Sequence, residues 1–344
     1  MSKVRRRGEQ IRQFILENVE KHPKDVANLA SHEFSISRQA VNKHIQRLVK
    51  QKSLVVSGST RSRVYKLCPL EKWSKIYDLG SNLAEDIVWD SDIKPLTSDL
   101  PENVKDIWFY GFTEMLNNAI DHSSGKMVLV QLERTAIDTE IIVVDNGEGI
   151  FKKIQRELNL YDERHAVLEL AKGKLTTDPD RHSGEGIFFT SRMFDEFQIL
   201  SEMVYFSHKF NKQEDWIFER EGFESGTTVF MKLNNNTART TKRIFDNFSS
   251  GDDYGFTKTV VPVRLAKYGD EKLFSRSQAK RLLARVDKFK VVVFDFAGVE
   301  IIGQAFADEV FRVFKKQHPE IQIMSLDTSQ EVAQMIRRAE SNDA

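Results

Sequence analysis

Residues 112–122 read FTEMLNNAIDH and bring a carboxylate and an amide to one face of a predicted helix. Glu114 and Asn118 are about one helical turn apart, so their side chains lie one above the other. Leu116 and Ile120 fall largely on the other side. A carboxylate one turn before an amide can position a water or a hydroxyl beside a metal-bound phosphate. The same pair is common on solvated helices, so this stretch does not define a site by itself.

A second stretch, residues 145–150, reads DNGEGI and follows an apolar run at residues 141–144. The run predicts a buried strand that ends at Asp145, whose carboxylate can accept a hydrogen bond from an exocyclic amine. Gly147 and Gly149 allow the backbone to turn sharply and to approach a flat ring closely. Because Asn-Gly is also typical of a hairpin turn, an ordinary turn stays open as the alternative.

A third stretch, residues 183–187, reads SGEGI and precedes a predicted helix at residues 188–194. Glycines just before a helix offer backbone N–H groups to phosphate oxygens. The Gly-Lys-Ser/Thr ending of a P-loop is absent, and the spacing is not that of the dinucleotide fingerprint. The stretch therefore favours a phosphate contact of a different class.

In this order the three stretches resemble the ATPase domain shared by gyrase, MutL-type repair proteins, histidine kinases and anti-sigma-factor kinases, the GHKL class. The resemblance extends to residues 225–228, SGTT. It implies ATP and Mg²⁺ as cofactors, with Glu114 as general base and Asn118 as magnesium ligand. It implies a lid at about residues 151–182. The further ATP contacts that it implies are Asp121, Asp145, Gly147, Gly149, Ile150, Gly184, Glu185, Gly186, Ile187 and Thr227.

The resemblance leaves the reaction open. Asp121 matches the gyrase pattern and His122 that of the anti-sigma-factor kinases, so the subclass is not defined. A self-contained histidine kinase is disfavoured, because residues 45–121 contain no histidine that could accept a phosphate upstream. Lys172 and Lys174, in the lid segment, either reach a terminal phosphate or are solvated surface lysines. ATP hydrolysis and transfer to a protein hydroxyl both stay open.

The first 67 residues are strongly basic, although the 344-residue chain is neutral, with 51 Lys and Arg against 51 Asp and Glu. This segment holds 15 Lys and Arg against 5 Asp and Glu, which favours a polyanionic partner. Apolar spacing predicts three helices, the third at about residues 38–50 with Ser37 as its cap, followed by a hairpin.

Three helices followed by a hairpin resemble the winged helix-turn-helix family, which implies binding to double-stranded DNA. The third helix would then read base edges in the major groove, and the hairpin would contact phosphates or the minor groove. The implied DNA contacts are Arg38, Gln39, Asn42, Lys43, Arg47, Arg61 and Arg63. A winged helix used for protein contact is the alternative.

Beyond residue 255, helical patterns alternate with apolar strand patterns, which predicts a small α/β domain. Residues 274–280 (FSRSQAK), 295–296 (DF) and 306–309 (FADE) resemble STAS-like domains, the relatives of anti-anti-sigma factors. Those relatives carry a phosphorylated serine in the loop after the central strand. The loop here, residues 302–306, reads IGQAF and has no hydroxyl. The resemblance thus implies a protein-docking domain, and it disfavours an internal serine switch.

The sequence predicts a multidomain α+β protein. A winged helix at residues 1–70 is followed by an α/β-sandwich GHKL ATPase at 71–236, a linker at 237–255 and a STAS-like α/β domain at 256–344. A single cysteine, Cys68, and the absence of an apolar run of about 20 residues favour a cytoplasmic protein without a membrane span.

The leading functional hypothesis is an ATP-binding transcriptional regulator in which nucleotide binding controls DNA binding. Closure of the lid over ATP, with or without an ATP-dependent homodimer, would be the switch. The alternatives are a serine/threonine kinase of the anti-sigma-factor type that acts on a separate partner, and a DNA-processing or defence ATPase.

Overall fold

The computed structural model describes residues 3–59, 62–175, 184–210, 216–219, 225–249, 255–267 and 271–341. Helices and sheets are mixed along the chain, which confirms the predicted multidomain α and β architecture. The chain divides into two compact units. The first comprises Met1–Lys75, Val130–Ile141 and Lys232–Thr237, and the second comprises Ile76–Leu129, Ile142–Met231 and Ala238–Ala344.

The first unit begins with three helices and an antiparallel hairpin, as the sequence predicted. They are α1 (Lys3–Asn18), α2 (Val26–Glu33), α3 (Arg38–Lys50), β1 (Leu54–Ser57) and β2 (Val64–Leu67). The Ser37 hydroxyl accepts a hydrogen bond from the Ala40 N–H at 3.2 Å, so the predicted cap of α3 is confirmed. The elements share one apolar core, which includes Ile15, Val19, Val26, Ala30, Val41, Ile45, Leu48, Leu54 and Leu67.

The chain continues with three short helical turns and one long helix between strands. These elements are β3 (Glu71–Asp78), α4 (Glu85–Val88), α5 (Glu102–His122), β4 (Met127–Arg134) and β5 (Asp138–Asp145). A π-helical turn at Trp89–Ile93 and a 3₁₀ turn at Pro95–Thr97 precede α5. Helix α5 buries a stripe at helical spacing, namely Val104, Trp108, Phe112, Met115 and Ala119. That stripe fixes which face of α5 carries its polar residues.

Three helices and four strands follow. They are α6 (Ile150–Leu158), α7 (Glu163–Lys172), α8 (Gly186–Met193), β6 (Glu196–Ser201), β7 (Val204–Lys209), β8 (Trp216–Glu219) and β9 (Thr227–Asn234). The strands complete a seven-stranded sheet in the order β3-β4-β5-β9-β6-β7-β8. Alternate residues of β9 are buried, from Thr227 and Val229 to Leu233, which gives this strand one face toward the interior.

The last part of the chain forms a parallel three-stranded sheet with helices between its strands. Its elements are α9 (Thr241–Asp246), β10 (Lys258–Pro262), α10 (Arg276–Leu283), β11 (Val291–Asp295), α11 (Gln304–Asp308), α12 (Lys315–Gln317), β12 (Gln322–Leu326) and α13 (Gln330–Ser341). The order β10-β11-β12 and the parallel pairing agree with the predicted α/β alternation. A π-helical turn at Glu309–Phe314 joins α11 to α12.

The segment predicted as a linker, residues 237–255, contains α9, which packs through aromatic rings. The Phe245 ring lies 5.4 Å from that of Tyr110 and 4.6 Å from that of Phe189. The Phe248 ring lies 4.9 Å from that of Phe188. Edge-to-face pairs of this kind stabilise a contact beyond the area they bury. The described part of this segment is therefore packed against α5 and α8.

Lys172, the last residue of α7, is the most deeply buried lysine side chain described, with 1 % of its surface exposed. Its ammonium donates to Glu169 Oε1 at 2.7 Å, to Arg281 O at 3.0 Å and to Ala284 O at 2.8 Å. The expectation of a solvated surface lysine is wrong, because three acceptors inside the protein replace water. Burial raises the pKa of Glu169, but His165 and Lys172 outweigh it and hold that pKa below its usual value.

Replacing Lys172 by methionine is expected to lower the free energy of unfolding by about 3–5 kcal/mol, because a buried ion pair loses one partner. Urea denaturation measures the change. Lys315→Met is the matched control, since Lys315 is about half exposed and pairs with Glu340 at 3.5 Å. Its loss should stay within about 1 kcal/mol. Equal losses in the two variants would contradict the buried position of Lys172.

Candidate functional site

A cavity of ≈ 370 Å³ lies within the second unit, lined in part by α5. This volume falls in the range of small-molecule pockets, about 300–1,000 Å³. Eight of the residues predicted to bind ATP and Mg²⁺ line it: Glu114, Asn118, Asp145, Ile150, Gly184, Gly186, Ile187 and Thr227. The three separated sequence stretches and the late SGTT stretch therefore meet at one cavity.

The remaining wall is largely apolar. Side chains from six different elements contribute to it, namely Met115, Ala119, Val143, Ile154, Leu170, Ile199 and Val229. Apolar walls with a few polar groups are typical of small-molecule pockets, in which the polar groups fix the orientation of the ligand. The polar groups of the cavity therefore decide which ligand chemistry it accepts.

Asp145, the last residue of β5, supplies a fixed hydrogen-bond acceptor to the cavity wall. Its side chain is 8 % exposed, and its Oδ1 accepts from the Gly147 N–H at 2.8 Å and from the Thr227 N–H at 3.3 Å. The Thr227 hydroxyl accepts in turn from the Ile150 N–H at 3.0 Å. Burial raises the pKa of Asp145, although these hydrogen bonds oppose the rise. The carboxylate is thus held rigidly beside an apolar surface.

Two glycines allow the backbone segments around Asp145 to pack closely. A Cβ on Gly147 would overlap the carbonyl oxygen of Ser123. Gly226 has a φ of +123°, and a Cβ there would overlap the carbonyl oxygen of Asp145 itself. Both positions therefore exclude any larger residue unless the backbone moves.

Another part of the cavity wall brings Glu114 to the start of α8. A Cβ on Gly186, the first residue of α8, would overlap the Glu114 carboxylate. Gly184 has a φ of +71° and its carbonyl accepts from the Leu175 N–H at 3.1 Å. The chain thus enters α8 beside a carboxylate that is able to act as a base toward a bound molecule.

Some predicted contacts do not line the cavity. Asp121 is exposed on α5, and Gly147 and Gly149 shape the turn behind Asp145. Glu185 is half-buried just before α8, where burial raises its pKa against the effect of the Lys174 ammonium. The part of the predicted lid at residues 176–182 lies outside the described residues, and the described remainder contains α6 and α7.

Lys153 is a cavity residue that the sequence analysis missed. It lines the cavity, and its Nζ donates to the carbonyl oxygen of His122 at 2.7 Å. Helical spacing could have identified Lys153, because it shares one face of α6 with Ile150 and Ile154. Lys153 adds a positive charge to a cavity that otherwise presents two carboxylates.

The predicted DNA-contact residues that the structure describes lie in the first unit. One face of α3 buries Val41, Ile45 and Leu48. The opposite face of α3 exposes Arg38, Gln39, Asn42, Lys43 and Arg47. Arg63, before β2, is also exposed, whereas Arg61 lies outside the described residues.

A family model, the STAS-like domain of unknown function (DUF4325), matches residues 278–333. These residues include β11 and β12, so the predicted STAS-like domain is confirmed over this range. No curated protein matches the chain. Among the described residues no helix is long and apolar enough to cross a bilayer.

Gly226→Ala is expected to destabilise the protein more than Gly298→Ala. Both glycines have a positive φ, but a Cβ on Gly298 would meet no atom within 4 Å. Gly298→Ala should therefore cost only the strain of the left-handed backbone, about 1–2 kcal/mol. Gly226→Ala adds an overlap with the Asp145 carbonyl. Urea denaturation of both variants measures the difference, and equal losses would show that Gly226 does not pack as described.

Proposed function

We propose that this protein is an ATP-binding transcriptional regulator, in which ATP and Mg²⁺ occupy the cavity and control DNA binding by an N-terminal winged helix. One observation carries the proposal. Residues from the three stretches that resemble the GHKL ATPases, far apart in the sequence, line a single cavity. Local structure does not require this convergence, because each stretch alone is compatible with an ordinary helix or turn.

The Asp145 side of the cavity supports recognition of adenine. A carboxylate accepts hydrogen bonds from the exocyclic amine of adenine, and the apolar walls suit the faces of the ring. Because Gly147 and Thr227 hold the carboxylate, it does not have to reorganise when the ring binds. The same carboxylate would reject a ring that presents an acceptor at that edge.

The Glu114 side supports binding of the phosphates. Gly184 and Gly186 bring backbone groups to the cavity at the start of α8, and Lys153 brings a positive charge. In the described residues no group of three or more His, Cys, Asp or Glu side chains could hold a metal ion. The Asn118 amide lines the cavity, and it fits Mg²⁺ that takes most of its oxygen ligands from phosphates and water, with the amide oxygen as a protein ligand. Bound Mg²⁺ would neutralise phosphate charge.

Glu114 is the residue that we assign to base chemistry. Its carboxylate lies beside Gly186 at the cavity, one helical turn before Asn118. In this position it would orient a water or a protein hydroxyl and accept its proton. The proposal includes ATP binding and leaves the acceptor of the phosphate to experiment.

The first unit supports a DNA-binding role. The exposed face of α3 carries Arg, Gln and Asn side chains, which pair with base edges in the major groove. Arg63 adds a positive charge at the hairpin, where phosphates would be contacted. The excess of basic residues in the first 67 positions supports the same partner.

Asp145→Asn is expected to weaken ATP binding about 10- to 100-fold, because a buried acceptor becomes a donor that opposes the adenine amine. The asparagine oxygen can still accept from Gly147 and Thr227, so the fold should persist. Isothermal titration calorimetry with ATP and Mg²⁺ measures the affinity. Asp106→Asn, an exposed change on helix α5 away from the cavity lining, is the control. Wild-type affinity in Asp145→Asn would remove Asp145 from the site.

Arg47→Ala is expected to weaken binding to duplexes selected from a random pool by about 1–3 kcal/mol, and Arg337→Ala, exposed on α13, should not. Fluorescence anisotropy measures both affinities.

Saturating ATP should also shift the wild-type affinity for the duplex. If ATP changes neither that affinity nor the oligomeric state, the regulatory part of the proposal fails.

A further inference from the structure

The end of α7 borders the cavity and also contacts the part of the chain that forms the parallel sheet. Leu170 and Leu175 line the cavity. Between them, residues 172–174 contact the part of the chain that forms the parallel sheet and the STAS-like domain. Any movement of this segment therefore changes both the cavity wall and the contacts with the parallel-sheet part of the chain.

Lys172 makes the first of these contacts. Two of its three hydrogen bonds go to carbonyl oxygens at the end of α10, those of Arg281 and Ala284. Both residues lie within the STAS-like match at residues 278–333. The last carbonyls of a helix have no partner within the helix and carry its negative dipole end. The buried ammonium therefore caps α10.

Thr259 makes the reciprocal contact. It is fully buried on β10, which pairs with β11, and its hydroxyl donates to the carbonyl oxygen of Lys172 at 2.6 Å. That carbonyl is the last of α7 and has no partner within the helix. Each helix thus has its end satisfied by a side chain from the other side of the contact.

The following residues extend the contact toward the cavity. Gly173 has a φ of +83°, and a Cβ there would lie 2.6 Å from the Phe256 ring. Lys174 Nζ donates to the Lys288 carbonyl at 3.1 Å, and Lys288 Nζ donates to the Lys174 carbonyl at 3.2 Å. The next residue, Leu175, donates to the carbonyl of Gly184 at the entry to α8. Fixed contacts therefore run without interruption from α10 to the cavity wall.

We propose that the STAS-like domain sets the affinity of the cavity for ATP by holding residues 170–175 in the conformation that ATP binds. The inference rests on the proposed function, and it names the regulation of that site. If residues 170–175 move, Lys172 and the ends of α7 and α10 lose their partners, so a loosened contact disfavours the binding conformation. Because coupling is reciprocal, bound ATP must tighten the contact to the same extent.

Thr259→Val tests the inference in the full-length protein. Valine keeps the volume of threonine, so the variant removes the hydroxyl that caps α7 without removing the Lys172 ion pair. Thr97→Val is the matched control, because Thr97 is also fully buried, donates to the helix carbonyl of Ile93 at 3.2 Å and does not line the cavity. Isothermal titration calorimetry with ATP and Mg²⁺ gives the affinity of each protein. Hydrogen–deuterium exchange at residues 276–289, with and without ATP, gives the reciprocal effect.

Thr259→Val should weaken ATP binding about 5-fold or more, within the range of measured couplings. Thr97→Val should bind as the wild type does. In the wild type ATP should slow exchange at residues 276–289, and this slowing should shrink in Thr259→Val. Unchanged affinity and exchange in Thr259→Val, or equal losses in both variants, would overturn the inference alone. A folded wild-type protein that does not bind ATP would overturn the proposed function and this inference with it.

Discussion

Two backbone N–H groups, from Gly147 and Thr227, donate to one oxygen of the buried Asp145 carboxylate. This pair of hydrogen bonds joins the end of β5, the turn that follows it and the start of β9. The Thr227 hydroxyl accepts from the N–H of Ile150, the first residue of α6, so that helix is joined to the same group of contacts. Gly226 packs on the Asp145 carbonyl. This one carboxylate therefore fixes the cavity wall around it, because its hydrogen bonds and the packing of Gly226 hold the surrounding backbone segments in place.

The cavity wall at Leu170 and Leu175 adjoins a second buried charge, that of Lys172. Lys172 replaces its hydration with Glu169 and two helix carbonyls, which is favourable only if those groups stay in place. Leu170 and Leu175, which precede and follow Lys172 in the sequence and line the cavity, are therefore held in position as well. The STAS-like domain thereby contacts a segment that borders the cavity, and this contact is the physical basis of the regulation that we propose.

Much of the local structure was predictable. Helix α3 has the bounds that its apolar spacing and Ser37 predicted, since a capping hydroxyl and a buried stripe both act within one turn. The parallel sheet of the C-terminal part was predictable for a similar reason, because alternating strand and helix patterns leave few arrangements. Lys172 was misinterpreted, because the carbonyls of Arg281 and Ala284 that accept from it lie over a hundred residues away.

By itself the sequence determined the helices, the strands and the residue types that the cavity uses, from Glu114 and Asn118 to Asp145. These depend on periodicity, capping and side-chain chemistry, which act over a few residues. Helical spacing from Ile150 could have indicated Lys153, whereas only the tertiary structure decided that Asp121 does not line the cavity and that the end of α7 is capped from the parallel sheet. Those outcomes depend on which distant segments pack together, and no local pattern of residues encodes such long-range packing.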